Sequence, residues 1–261
     1  MPITVREIEE ILFQWAPHHL AASWDNVGHL IGRREKQVDR VLVALDVTAE
    51  VVSEAVKGDF DLIISHHPVM NCAWHPVQTL RDDDLQGRIL MELVHKDIAV
   101  ICMHTNLDAA DGGVNDMLCE RLGLENTEKL GDEDGIARMG VLSEPMALSA
   151  FLPLIRKRLR PNGLRYCQGR NNVSRVAVGG GACADMFRLV AERGCDTFVT
   201  SDVKYHQFLD AAELGLNLID AGHFPTEDPI CYAIVNRLSE VYPDIKFVKS
   251  DSHREIIQYY M

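Results

Sequence analysis

The 261-residue sequence has no C-x-x-C pair, no apolar run approaching a membrane span and no excess of positive charge. Its seven cysteines, at 72, 102, 119, 167, 183, 195 and 231, are scattered and odd in number. That argues against a disulfide frame or a cysteine zinc site, and for buried reduced thiols in a cytoplasmic protein. Without about 18 consecutive apolar residues no spanning helix is expected. Asp and Glu outnumber Lys and Arg by 39 to 26, a net charge of −13. Wrapping nucleic acid or lying on an anionic membrane needs a basic surface, so neither partner is expected. An anionic substrate would instead need a local cation. The amino terminus carries charge by Arg6 and shows no apolar h-region, so no signal peptide is expected. Low-complexity segments and solenoid repeats are lacking too.

What is present is a succession of strand, loop and helix. Thr4 and Glu7 form a capping-box pattern before an apolar stripe of Val5, Ile8, Ile11, Leu12 and Trp15, which predicts a helix over 5–15. Strands are expected at 40–45, 61–65 and 98–103, each followed by a helix (48–57, 85–95 and 112–122). Gly123 to Ala137 is polar, acidic and glycine-bearing, and reads as a linker or exposed excursion. A second set follows, with helices at 147–159, 186–192 and 205–214 and strands at 175–178, 197–200, 217–220 and 245–248. The last helix is expected to start near Pro225. Repeated strand–loop–helix units predict an α/β fold with mostly parallel or mixed sheets and helices on the faces. We expect a first lobe over 1–125, completed by 220–261, and a second over 126–219.

The chain turns chemical at the ends of these strands. Leu62-Ile63-Ile64-Ser65 runs into His66-His67-Pro68. Adjacent residues of a strand point to opposite faces, so two neighbouring histidines converge only where the strand has ended, and Pro68 supports a turn there. Asp46, His104, Asp108, Asp202, His223 and Glu227 occupy equivalent strand ends, where open α/β sheets place ligands. His104 with Asp108, expected on a loop, and His223 with Glu227 are each four residues apart. With His66 and His67 they make three ligand pairs, more than one zinc ion needs and suited to two metals bridged by a carboxylate. Asp46 and Asp202 can also be read as helix caps. Ser23-Trp24-Asp25-Asn26-Val27-Gly28 reads as a packed loop or as the rim of a site. Gly179-Gly180-Gly181 follows a strand and precedes a helix. It is compatible with a tight turn or an anion site, but lacks the G-x-G-x-x-G spacing and the Walker lysine.

At these segments the chain resembles the GTP cyclohydrolase 1 type 2 homolog family, also called Nif-three-like. The matching stretches are Ser23–Gly28, Ala44–Thr48, Ile64–Pro68, His104–Asp108, Val178–Ala182, Thr200–His206 and Asp220–Glu227. The resemblance implies two interlinked α/β lobes with a dinuclear metal site between them. It implies that His66, Asp108 and Glu227 hold one divalent ion and His67, His223 and Glu227 the other, Glu227 bridging. Zn, Fe and Mn all suit such donors. His104, Asp202 and His206 would lie behind the ligands or on the substrate side, and His104 or His206 could serve as general acid or base. The implied activity is metal-dependent hydrolysis of a nucleotide or pterin-like small molecule, GTP among them, in a toroidal homohexamer. The alternative is a non-enzymatic metal-binding chaperone, sensor or interaction protein. Some relatives carry an inserted middle domain, for which this chain is too short. Ser201 departs from the glycine of many relatives and would strain the loop if that position needs a positive φ.

Overall fold

The computed structural model describes residues 3–74, 76–131 and 135–260. By internal contact the chain forms two compact units, Met1–Ala110 with Ile230–Arg254, and Asp111–Pro229 with Glu255–Met261. In chain order the first unit holds β1 (Ile3–Thr4), α1 (Val5–Trp15), β2 (Gly28–Ile31), β3 (Gln37–Val38), β4 (Arg40–Ala44), α2 (Ala49–Lys57), β5 (Leu62–Ser65), α3 (Leu85–His95), β6 (Ala99–Cys102) and α4 (Thr105–Ala109). The second holds α5 (Val114–Leu122), β7 (Leu124–Lys129), β8 (Arg138–Ala147), α6 (Leu148–Leu159), β9 (Arg165–Cys167), β10 (Asn172–Val178), α7 (Phe187–Glu192), β11 (Thr197–Thr200), α8 (Tyr205–Glu213), β12 (Asn217–Asp220) and α9 (His223–Glu227). The chain then returns to the first unit through α10 (Pro229–Val241) and β13 (Lys246–Lys249).

The main sheet of the first unit has the order β13-β4-β5-β6-β2, parallel except for β2. Every residue of β5 and β6 is buried, as expected of parallel strands covered on both faces. Leu42, Ile63 and Val100 lie side by side across the sheet. They pack with Val51 and Val52 of α2 and Leu90 and Leu93 of α3. The helix starts obey local rules. The Thr4 hydroxyl accepts from Glu7 N at 3.3 Å while the Glu7 carboxylate accepts from Thr4 N at 2.8 Å. Thr48 Oγ1 likewise accepts from Val51 N at the start of α2, so Asp46 is left for other work.

The second unit is built on a mixed sheet of order β7-β8-β10-β11-β12-β9, with β10, β11 and β12 parallel. Successive residues divide between its faces. Val176, Val178, Val199 and Ile219 meet α5 and α6 through Leu118, Leu122, Phe151 and Ile155. Ala177, Phe198 and Leu218 meet α7 and α8 through Phe187, Val190 and Ala211. The alternation is the period of two that a strand imposes.

Three sequence expectations are corrected. The polar stretch 123–137 is largely the strand β7 and the approach to β8, with residues 132–134 outside those described. β7 is an edge strand whose only buried residue is Leu124. Charged edges guard a sheet against further pairing, and they hide the strand from a hydrophobicity reading. The segment after His104 is a helical turn, α4, rather than a loop. The helix expected from Pro225 is two helices, because Pro229 has no N–H to continue the ladder and instead starts α10. Among the described residues no helix is long and apolar enough to cross a membrane.

Candidate metal centre

In the first unit the parallel strands β4, β5, β6 and β13 deliver their polar residues at the same end of the sheet. Asp46 follows β4, His66 and His67 follow β5, His104 follows β6, and His253 follows β13. The backbone stays tied where the side chains turn: His66 N donates to Ala44 O, His67 N to Leu45 O and Met103 N to Ser65 O. The rings of His66, His67 and His104 gather with centroids 5.0, 5.1 and 5.5 Å apart. Their ligand-competent nitrogens lie within 4.8 Å of one another. Asp108, on the single turn of α4, brings Oδ1 to 3.5 Å from His66 Nε2. His66, His104 and Asp108 are buried.

Each of these imidazoles is oriented from behind. His66 Nδ1 donates to Met103 O at 2.8 Å, His67 Nδ1 to Asp46 Oδ1 at 2.7 Å, and His104 Nδ1 to Asp25 Oδ1 at 2.8 Å. A proton held at Nδ1 leaves Nε2 with its lone pair, the tautomer a metal ligand or a general base requires. Asp25 also accepts from Thr105 N at 3.0 Å and from its hydroxyl at 2.5 Å. Burial pushes the Asp25 pKa up, but the bonds from His104 and Thr105 outweigh it and hold the carboxyl at about 2. Asp46 is shared, its second oxygen 2.9 Å from His253 Nε2. Desolvation opposes its ionisation, yet the two histidines hold it well below the usual carboxylate range.

The second unit presents a smaller group. Gly222, at φ 86°, starts α9, and one helical turn brings His223 Nε2 to 3.1 Å from the buried Glu227 Oε2. His223 Nδ1 donates to Asp202 Oδ2 at 2.6 Å. Burial lowers the His223 pKa, but Glu227 first and Asp202 second raise it to about 11. Two carboxylates around one imidazole make this a place that favours a cation.

The glycine run acts here by its missing side chains. A Cβ on Gly181, itself at φ 61°, would stand 2.0 Å from Glu227 Oε1 and 3.0 Å from His223 Nε2. The amides at 179, 180 and 181 are already given to Val199 O, Asn115 Oδ1 and Thr226 Oγ1. The run is therefore a close approach to the acid, not a phosphate cradle. Ser201 is not the strained position: it is buried and donates its hydroxyl to Gly181 O at 2.6 Å. The positive φ falls one residue later, on Asp202 at 53°. A non-glycine residue in that region at the partner of His223 is the kind of local strain that functional sites carry.

Asp46 and Asp202 thus serve histidines rather than helix caps. His206 is exposed on the first turn of α8, and among the described residues it makes no hydrogen bond or ion pair with the other polar groups. The sequence reading missed His253, which lies beyond the last strand and carries no motif.

The chain has clear relatives. The model of the family described as Duf34/NIF3 (NGG1p interacting factor 3) matches residues 3–255. The GTP cyclohydrolase 1 type 2 homolog of Clostridium perfringens (strain 13 / Type A) is 33% identical over 262 residues, 98% of this chain and 99% of the relative. The crystal structure of Staphylococcus aureus hypothetical protein SA1388 superposes with a TM-score of 0.93 at 29% identity, covering 100% of both chains. That of a Bacillus cereus protein related to NIF3 does so at 0.92 and 25%, covering 99% of both.

Proposed function

This chain belongs to the Duf34/NIF3 family, and from that premise we propose that it binds two divalent cations and hydrolyses a small nucleotide or pterin-like molecule, GTP being one such substrate. The observation that supports the reading is the common orientation of three histidines. His66, His67 and His104 each give Nδ1 to a carbonyl or carboxylate, and their ligand-competent nitrogens gather within 4.8 Å of one another. Backing of each ring nitrogen by a carbonyl or carboxylate is the arrangement that metal-binding histidines use. Buried Asp108 and Glu227 add the hard oxygen donors that Zn, Fe or Mn accept beside imidazole.

In this reading His66, Asp108 and Glu227 hold one ion, and His67, His223 and Glu227 the other, Glu227 being shared. Bound there, two cations would lower the pKa of a water and offset the charge of an anionic substrate against this acidic protein. The chain's own groups do the rest. Asp25 fixes the tautomer of His104, so that Nε2 can take or return a proton near the reacting atoms. Asp46 and Asp202 hold the ligand imidazoles in register and raise their basicity. His206, exposed on the first turn of α8, would be the acid–base partner on the substrate side. The reading extends to a cytoplasmic toroidal homohexamer, and seven cysteines outside any disulfide accord with a reducing compartment. Five thiols are buried and two, Cys167 and Cys183, are partly exposed.

Elemental mass spectrometry on untagged protein, offered Zn, Mn and Fe in turn, tests this. We expect about two metals per chain, and the loss of at least one in Glu227→Gln without unfolding. Retention of both in that variant removes the bridging role. No more than a trace of metal in the parent removes the hydrolase reading. It leaves the non-enzymatic interaction role that the family's description as an interacting factor favours.

A further inference from the structure

The sequence has three tryptophans, and only one of them behaves as core. Trp15 is buried in α1, with the Arg237 guanidinium 4.6 Å from its ring. Trp24 and Trp74 remain 58% and 47% exposed. Both stand at the same imidazole. Trp24 meets the His104 ring at 6.0 Å with planes 74° apart, and Trp74 meets it at 5.7 Å and 78°. Trp74 also meets His67 at 6.2 Å and 85°. The two indoles come from separate loops, yet they flank the one histidine whose tautomer Asp25 sets.

Neither ring is on a loose strand. Asp25, the neighbour of Trp24, is bound to His104 and Thr105. The Asn26 side-chain amide donates to Met70 O at 2.7 Å, which ties the Trp24 loop to the chain leading into Trp74. The Trp74 turn is closed in its own right: Asn71, at φ 55°, accepts from Val77 N through Oδ1 at 3.2 Å, and Cys72 Sγ donates to Pro68 O at 3.7 Å. Two large aromatics are thus held by hydrogen-bonded turns in a half-wet position beside the histidine cluster. Burying them would gain free energy. An indole kept exposed in a fixed place offers a π-face to a ligand ring, and base–aromatic stacking is tolerant of which ring it is.

We propose that Trp24 and Trp74 are stacking surfaces that hold a planar heteroaromatic ring, a purine- or pterin-like bicycle, beside His104. The inference rests on the reading of the histidine cluster as a substrate site and deepens it. The first unit recognises the ring of the substrate, and its phosphates or side chain are secondary there.

The test uses the full-length zinc-loaded protein with guanosine, neopterin and inorganic tripolyphosphate as separate probes, followed by calorimetry and tryptophan fluorescence. Guanosine and neopterin should bind and quench fluorescence, and tripolyphosphate should not quench. Trp24→Ala and Trp74→Ala should each weaken guanosine binding about 5- to 150-fold, the range that loss of one stacking partner produces. Trp24→Phe and Trp74→Phe should restore most of it, with zinc content and tripolyphosphate binding unchanged throughout. Equal guanosine affinity in the alanine variants overturns the proposal, and so does a parent that binds neither ring. If the alanine variants keep their guanosine affinity but change the assembly size on gel filtration, the indoles serve contacts between copies and the proposal fails. Turnover is scored separately: ring binding without hydrolysis removes the hydrolase reading and leaves the stacking role standing.

Discussion

At the residue scale the site is a set of imidazoles aimed by their second nitrogens. Asp25 illustrates how much such an acid contributes. Its pKa is depressed from 3.8 to about 2, so the stability it adds is complete above the ordinary carboxylate pKa and is lost as pH falls through about 2. Replacing it with Asn should cost on the order of 2 kcal/mol at neutral pH. It should also flatten the loss of stability between about pH 4 and pH 2, measured by denaturant titration at each pH. His104→Ala should leave metal content intact and reduce turnover by about 100-fold or more, as removal of a general acid–base group does. Loss of metal in that variant would make His104 a ligand instead.

At the element scale, short turns do the aiming. α9 is one turn long, and that turn is what brings His223 and Glu227 together. The glycine run beside it is legible as a tight turn or an anion site until its neighbours are known. Gly181→Ala should force Glu227 aside, since the added carbon has no room and the backbone is left-handed there. Metal affinity should fall about 10- to 100-fold, the range seen when groups that position ligands are lost. Competition with a chromogenic chelator measures it, and unchanged affinity would mean that Glu227 can donate from elsewhere. A further element-scale lesson concerns β7. Its charged residues belong to an edge strand, so local polarity reports exposure of that strand, not absence of structure.

At the scale of the molecule, each unit has its own covered sheet and its own polar groups at strand ends. Ligands that bind only the folded state stabilise it by mass action. Metal at a hundredfold its Kd should add about 2.7 kcal/mol and raise Tm by roughly 5–10 °C. Stripping with EDTA and scanning by calorimetry checks this, and an unchanged Tm would show that the fold does not depend on the ions.

The α/β class, the buried parallel strands and most helix starts were legible in the sequence, because they follow from period, caps and propensity within a few residues. The strand-end histidines and acids were legible too, since strand, His-His and Pro occur in one short stretch. Three features were decided by tertiary structure alone. His253 reaches Asp46 across 207 positions of chain, Gly181 yields room to an acid 46 residues away, and two exposed tryptophans converge on one imidazole. Local sequence carries the energy of caps and periods, whereas these pairings exist only once strands far apart in the chain lie side by side.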